Sequence, residues 1–280
     1  MCEKVGFEVY KRPKYIPDGV KDESEYIYTP PRVIKPRKAL VEIYFSQKHN
    51  TLTYYNDQFD LSVGDTVFVD GAYEGIPGKV VNLTYTFKIK QSDYKKVVFV
   101  ADTDVYGELE FAGSHVMSLK RYTMPYEKVI GWFKPPVNDE EEIIISTEEY
   151  GEKFTLDELN KMKIDPLKAE RGHDYYMDNR VVFIEVKDCV GRAIVLGSKP
   201  YEVSFKIVGR EVSDVMCDCF CAGNCKHVYA VMLQLKETLK VSAENYEDEW
   251  DFDYLSIMSK SVFFDHVFSN KTFGRIEIKN

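Results

Sequence analysis

Cys217-Asp-Cys219-Phe-Cys221-Ala-Gly-Asn-Cys225-Lys-His227 is the stretch around which the fold of this chain is organised. Zinc takes four soft or borderline ligands in a tetrahedron, and a set of three Cys and one His closes that shell. Cys217 and Cys219 are two residues apart, so at the end of an extended strand both sulfurs point the same way. Cys225 and His227 share that spacing, but within a helix residues two apart lie about 200° from one another, so both cannot sit mid-helix. Gly223-Asn224 resolves this by supplying a turn and a candidate N-cap. Cys225 then stands at the mouth of a helix and His227 in its first turn. The expected unit is strand, knuckle and helix, with Zn2+ held by Cys217, Cys219, Cys225 and His227. Cys221 stays open as an alternative ligand, because Cys219 and Cys221 form a second pair of the same spacing.

Downstream, Val228, Val231 or Met232, Leu235 and Leu239 mark one face of an amphipathic helix. Upstream, 181–186, 193–196 and 201–208 read as three strands. The last alternates cleanly, with Tyr201, Val203, Phe205 and Ile207 on one face against Glu202, Ser204 and Lys206 on the other. Asp165-Pro166 is a helix start, an N-cap followed by Pro at the first helical position. Thr155 with Glu158 forms a capping box and Phe154 with Leu159 a hydrophobic staple, which predicts another helix start there.

With its following Val-Tyr-Ala-Val-Met, the Cys217-x-Cys219, Cys225-x-His227 pattern resembles a SWIM-type zinc finger. The lead-in is similar to that family as well: Glu170-Arg-Gly-His-Asp-Tyr-Tyr176, Arg180-Val-Val, Ala193-Ile-Val-Leu-Gly197 and Tyr201-Glu-Val203. The likeness spans about residues 166–236. It implies a structural zinc and a role in binding DNA or protein, often beside helicases and transposases. The chain departs from the family in its short central gap and in the extra thiol of Cys221.

The N-terminal half reads as β. Residues 39–45 and 52–55 flank His49-Asn50 as a hairpin, and Gly-containing turns recur every ten or so residues as far as Ala101, the spacing of a small closed barrel. Val63-Gly-Asp-Thr-Val-Phe-Val69 resembles the turn and strand of SH3-like barrels such as KOW modules. The expected class is therefore α+β, a small antiparallel β-barrel joined to an α+β zinc-binding domain. Its parts are a Pro-rich, basic arm at 1–38, the barrel at 39–136 and the zinc-binding domain at 140–280, divided at Pro135-Pro136 and the acid run that follows.

The net charge of −9 is unevenly spread: residues 1–138 carry 19 basic and 18 acidic side chains, and the acid excess lies beyond them. Phosphate neutralisation needs clustered Lys and Arg. The candidates for nucleic-acid contact are Arg32, Lys35, Arg37 and Lys38 in the arm, and Lys88, Lys90, Lys95 and Lys96 among the rings of Tyr85, Phe87 and Tyr94. In a strand through 83–90 the rings share a face with Leu83 and Ile89 while Lys88 and Lys90 point away, which is also the pattern of an ordinary core strand. Residues 165–240 hold 11 basic and 11 acidic residues, so a protein surface suits the finger block as well as DNA does.

No apolar run approaches the roughly 18 residues of a membrane span, and the first 31 residues have no secretory core, so a cytoplasmic location is expected. No phosphate loop, nucleophile elbow, His-Glu-x-x-His or Rossmann phrase is present. The reading is a non-enzymatic zinc-binding adaptor for nucleic acid or for a protein partner such as a helicase-type enzyme, with no small-molecule substrate. Two alternatives remain. One is a redox or catalytic thiol site, although Lys226 is the only cation inside the cluster and Asp218 opposes it. The other is a purely structural subunit of a larger assembly.

Overall fold

The computed structural model describes residues 6–9, 38–85, 90, 93–136, 153–221, 223–246, 254–268 and 276–279. Its outermost strands, β1 (Gly6–Val9) and β15 (Ile276–Lys279), pair antiparallel with each other. Between them lie two larger sheets.

Alternation builds the first. In β2 (Ala39–Phe45) the residues Val41, Ile43 and Phe45 are buried in one core with Tyr54 of β3 (Asn50–Asn56), Val67 and Val69 of β4 (Thr66–Val69), Val80 of β5 (Gly78–Thr84) and Val97 of β6 (Val97–Ala101). The β2–β3 hairpin turns at His49, which takes the left-handed conformation the tight turn demands. The strand order is β3-β2-β5-β4-β6. This is an open sheet rather than the expected closed barrel: among the described residues its outer strands meet at a single parallel bridge, Tyr55 to Lys96, too little pairing to close it.

The second sheet runs β7-β8-β14-β10-β11-β12-β13-β9. Its members are β7 (Glu110–Ala112), β8 (His115–Ser118), β9 (Phe154–Thr155), β10 (Val181–Lys187), β11 (Val190–Leu196), β12 (Pro200–Val208), β13 (Glu211–Cys217) and β14 (Tyr254–Ser259). All named pairings are antiparallel. Residues on both sides of Pro135-Pro136 thus share one sheet, because β14 lies between β8 and β10. One face is covered by α2 (Pro166–Met177) and α3 (Lys226–Asn245), where Val228, Val231, Met232, Leu235 and Leu239 pack on Val181, Ile184, Val186 and Val203. The other face is covered by residues 101–109 and 124–133, including the single-turn α1 (Tyr126–Val129), and by α4 (Lys260–Val267), around Trp132, Phe183 and Phe263.

One local expectation shifts. Thr155 does cap, accepting from the Asp157 N–H, and Phe154 and Leu159 are both buried, but the element is a short 3-10 helix, Leu156–Lys161. Glu158 leaves helical geometry and bonds Lys161 instead of closing the capping box. The apolar run 255–268 divides into a strand and a helix at Ser259. No described helix is long and apolar enough to cross a membrane.

Candidate metal centre

Strand β13 ends on Cys217, and α3 begins just after Cys225, its N-cap. The chain between them reverses at Gly223, whose φ of +71° is costly for a residue with a side chain. The cap falls one residue later than the sequence suggests: Asn224 instead donates its side-chain amide to the Lys163 carbonyl at 3.1 Å, tying the knuckle to the loop before α2. At the other end Asp218 extends the β12 ladder, donating its N–H to the Glu202 carbonyl and accepting the Glu202 N–H on its carboxylate.

These anchors bring four donors together. The sulfurs of Cys217, Cys219 and Cys225 and a ring nitrogen of His227 all lie within 4.8 Å of one another. His227 Nδ1 is 3.7 Å from Cys217 Sγ and 3.8 Å from Cys225 Sγ. A tetrahedron with metal–sulfur bonds of about 2.3 Å and a metal–nitrogen bond of about 2.0 Å has S···N edges of about 3.5 Å and S···S edges of about 3.8 Å. The donor set therefore fits a metal ion with little adjustment. Cys225 and His227 are buried, Cys217 and Cys219 partly so; Cys221 is exposed and stands outside the group.

Rings hold the imidazole in place. Tyr201 stacks on His227 with centroids 4.2 Å apart and planes 19° apart, and Tyr175 approaches at 5.5 Å. His227 Nε2 is buried without a hydrogen-bond partner among the described residues, so packing rather than a second hydrogen bond orients the ring. Lys226 and Arg180 lie over the Tyr175 ring at 4.4 and 4.8 Å, and Lys199 over Tyr201 at 5.4 Å. Nothing in the Cys and His spacing points to this aromatic bracket.

The thiols titrate as a set. Donation from Cys217, together with His227, holds the Cys225 thiol down at about 3. That same bond to Cys225, with burial, pushes Cys217 up; burial chiefly raises Cys219. Three thiolates this close repel one another, so without a bound cation they do not all ionise together near neutral pH. A bound dication would let the other sulfurs ionise, which makes its affinity pH-dependent.

The basic candidates do not converge here. Arg32, Lys35, Arg37 and Lys88 lie outside the described residues. Lys38, Lys90 and Lys95 are exposed, while Lys96 pairs with Asp57 at 3.3 Å and lies over the Tyr55 ring at 5.9 Å. Leu83 packs against the first sheet's core, and Tyr85 is half exposed. His115 serves the core: its Nε2 meets the Val181 carbonyl at 3.1 Å, and burial lowers its pKa. Compared with family models, curated proteins and solved structures, the chain shows no match.

Proposed function

We propose that this protein is a non-enzymatic adaptor whose C-terminal half is stabilised by a structural zinc ion held by Cys217, Cys219, Cys225 and His227. The observation that carries the reading is the closed donor set of three sulfurs and one imidazole nitrogen within 4.8 Å. A full shell of protein ligands leaves no position for water or substrate, as structural sites do. The zinc's work is to tie the end of β13 to the start of α3. Structural zinc sites of this kind contribute roughly 10 to 16 kcal/mol of apparent binding energy.

The tip of the knuckle supports a docking role. Phe220 is fully exposed on a loop pinned at both ends by metal donors, an arrangement that keeps an apolar side chain ready for a partner. Residues 211–225 contain Glu211, Asp214 and Asp218 and no Lys or Arg, which favours a protein surface over phosphate at this tip. Any nucleic-acid contact belongs to the basic residues of the N-terminal half.

Metal analysis with thiol titration of the purified protein tests the zinc reading. One zinc per chain with protected thiols is expected; reactive, metal-free thiols would favour the redox alternative instead. Titrating single- and double-stranded DNA at increasing salt tests the nucleic-acid branch. Submicromolar binding that falls steeply with salt supports it, and no binding at low salt removes it.

A further inference from the structure

The imidazole of His227 has two nitrogens, and the structure gives them different surroundings. Nδ1 stands 3.7 Å from Cys217 Sγ and 3.8 Å from Cys225 Sγ, whereas Nε2 is buried and has no hydrogen-bond partner among the described residues. Nδ1 is also the ring nitrogen nearer the main chain. Cys225 lies only two residues away, at the mouth of the same helix, so a donor of short reach brings the ring to the sulfurs without lifting the first turn of α3.

A metal-bound imidazole ordinarily donates its other N–H to a carboxylate or a carbonyl, and that bond fixes the ring. Here the close neighbour is instead an aromatic ring, and the sheet register brings it there. Val203 is the partner of Cys217 across β12 and β13, and Tyr201 lies two residues from Val203 on the same face. The strand that positions the first sulfur donor thus also carries the ring that stacks on the imidazole, at 4.2 Å and 19°. Tyr201 is itself pinned: its hydroxyl is 2.9 Å from Ser198 Oγ, and the Lys199 ammonium lies over its ring at 5.4 Å. Gly197 leaves room for it, since a Cβ there would come within 2.8 Å of Tyr201 Cε2. Tyr175 of α2 meets the imidazole at a tilt of 56°, bracing it from a second direction.

Resting on the zinc reading above, we infer that His227 binds the metal through Nδ1 and that Tyr201 is the positioning residue that holds its ring, by stacking, where an outer hydrogen bond would otherwise do so. The helix-borne ligand is then aimed by the strand that flanks the sulfur donors, and the ring of Tyr201, rather than its hydroxyl, is what the metal centre requires.

Two measurements on the full-length protein loaded with Zn2+ test this. In a long-range proton–nitrogen correlation spectrum of protein isotope-labelled at its histidine nitrogens, zinc should shift the Nδ1 signal of His227 while Nε2 keeps its proton. In competition with a zinc indicator, Tyr201→Leu should hold zinc about tenfold or more weakly than wild type. Tyr201→Phe keeps the ring and loses only an exposed hydroxyl contact, so it should stay within about threefold. Far-ultraviolet circular dichroism of the zinc-saturated variants separates lost affinity from lost fold, and the wild-type spectrum depends on no variant. Zinc bound through Nε2, a Tyr201→Leu protein as tight as wild type, or a Tyr201→Phe protein as weak as Tyr201→Leu would each overturn this inference alone. A wild-type protein that takes up no zinc would overturn it together with the zinc reading.

Discussion

Gly172 is the one buried residue of α2, and replacing it with Ala tests how the metal centre is supported. A Cβ there would stand 2.8 Å from the Lys226 carbonyl oxygen, 2.9 Å from Tyr229 Cβ and 3.0 Å from Tyr229 Cδ1. The first of these is main chain, so no side-chain rotation relieves it; α2 and the first turn of α3 must separate by roughly half an ångström or more. Lys226 lies between Cys225 and His227, so the displacement falls directly on two of the four donors. Two opposing effects set the net result. Ala in place of Gly within a helix favours folding by about 1 kcal/mol, whereas overpacking a tight site costs about 1 to 3 kcal/mol. With main chain as the obstacle the cost sits at the upper end, leaving a loss of about 1 to 2 kcal/mol and a melting temperature lower by about 5 °C. Metal affinity should fall about tenfold, as when groups supporting a ligand are moved. Thermal unfolding with and without a chelator, and competition with a zinc indicator, measure both quantities. A Gly172→Ala protein that melts as high as wild type or higher and holds zinc as tightly would mean that the α2–α3 contact yields without cost, since helix propensity alone predicts a gain.

Stripping the metal, or substituting His227→Ala, should lower the melting temperature and expose the three donor thiols to a thiol reagent, with restoration by added zinc only in the wild type. Glu185 is 4% exposed and accepts the Tyr126 N–H and the Tyr254 hydroxyl; burial first, then Glu127, pushes its carboxyl up to about 7. A raised carboxyl contributes stability fully present below its ordinary value near 4.5 and lost as pH rises through about 7. Glu185→Gln should therefore flatten the stability profile in that window and be the more stable protein at pH 8, by up to about 3 kcal/mol, read from urea unfolding at several pH values. Phe220→Ser should leave the melting temperature and zinc content unchanged, with stability within about 0.5 kcal/mol of wild type, because the side chain is wholly exposed.

What could be read from the residues in order was whatever is local. Asp165 caps α2 by accepting from the N–H groups of Leu167 and Lys168, as the Asp-Pro pair implies, and the buried face of α3 is the one its 3.6-residue period marks. The four donors are gathered by two short pairs, each carried by an element whose type the spacing dictates. The division of the apolar run at Ser259 was not legible, because both of its halves are buried and periodicity cannot separate two buried states. The sheet order was hidden for a different reason. Ser118 pairs with Ser256, and no property of either residue announces a partner so distant along the chain. The Tyr201–His227 stack likewise joins two separate elements, β12 and α3, that no single residue announces as neighbours.

That placement of β14 also imposes an order on synthesis. As the chain emerges from the ribosome, the β7–β8 hairpin and the β10–β13 meander are complete long before residues 254–259 appear, and each waits with an open edge where β14 will go. Exposed edges of this kind recruit wrong partners, and joining them closes a loop of more than a hundred residues, a slow step by the entropy it must overcome. A segment made after both is thus the part that turns two half-sheets into one. A nascent chain arrested before Tyr254 should persist as an aggregation-prone intermediate in need of a chaperone.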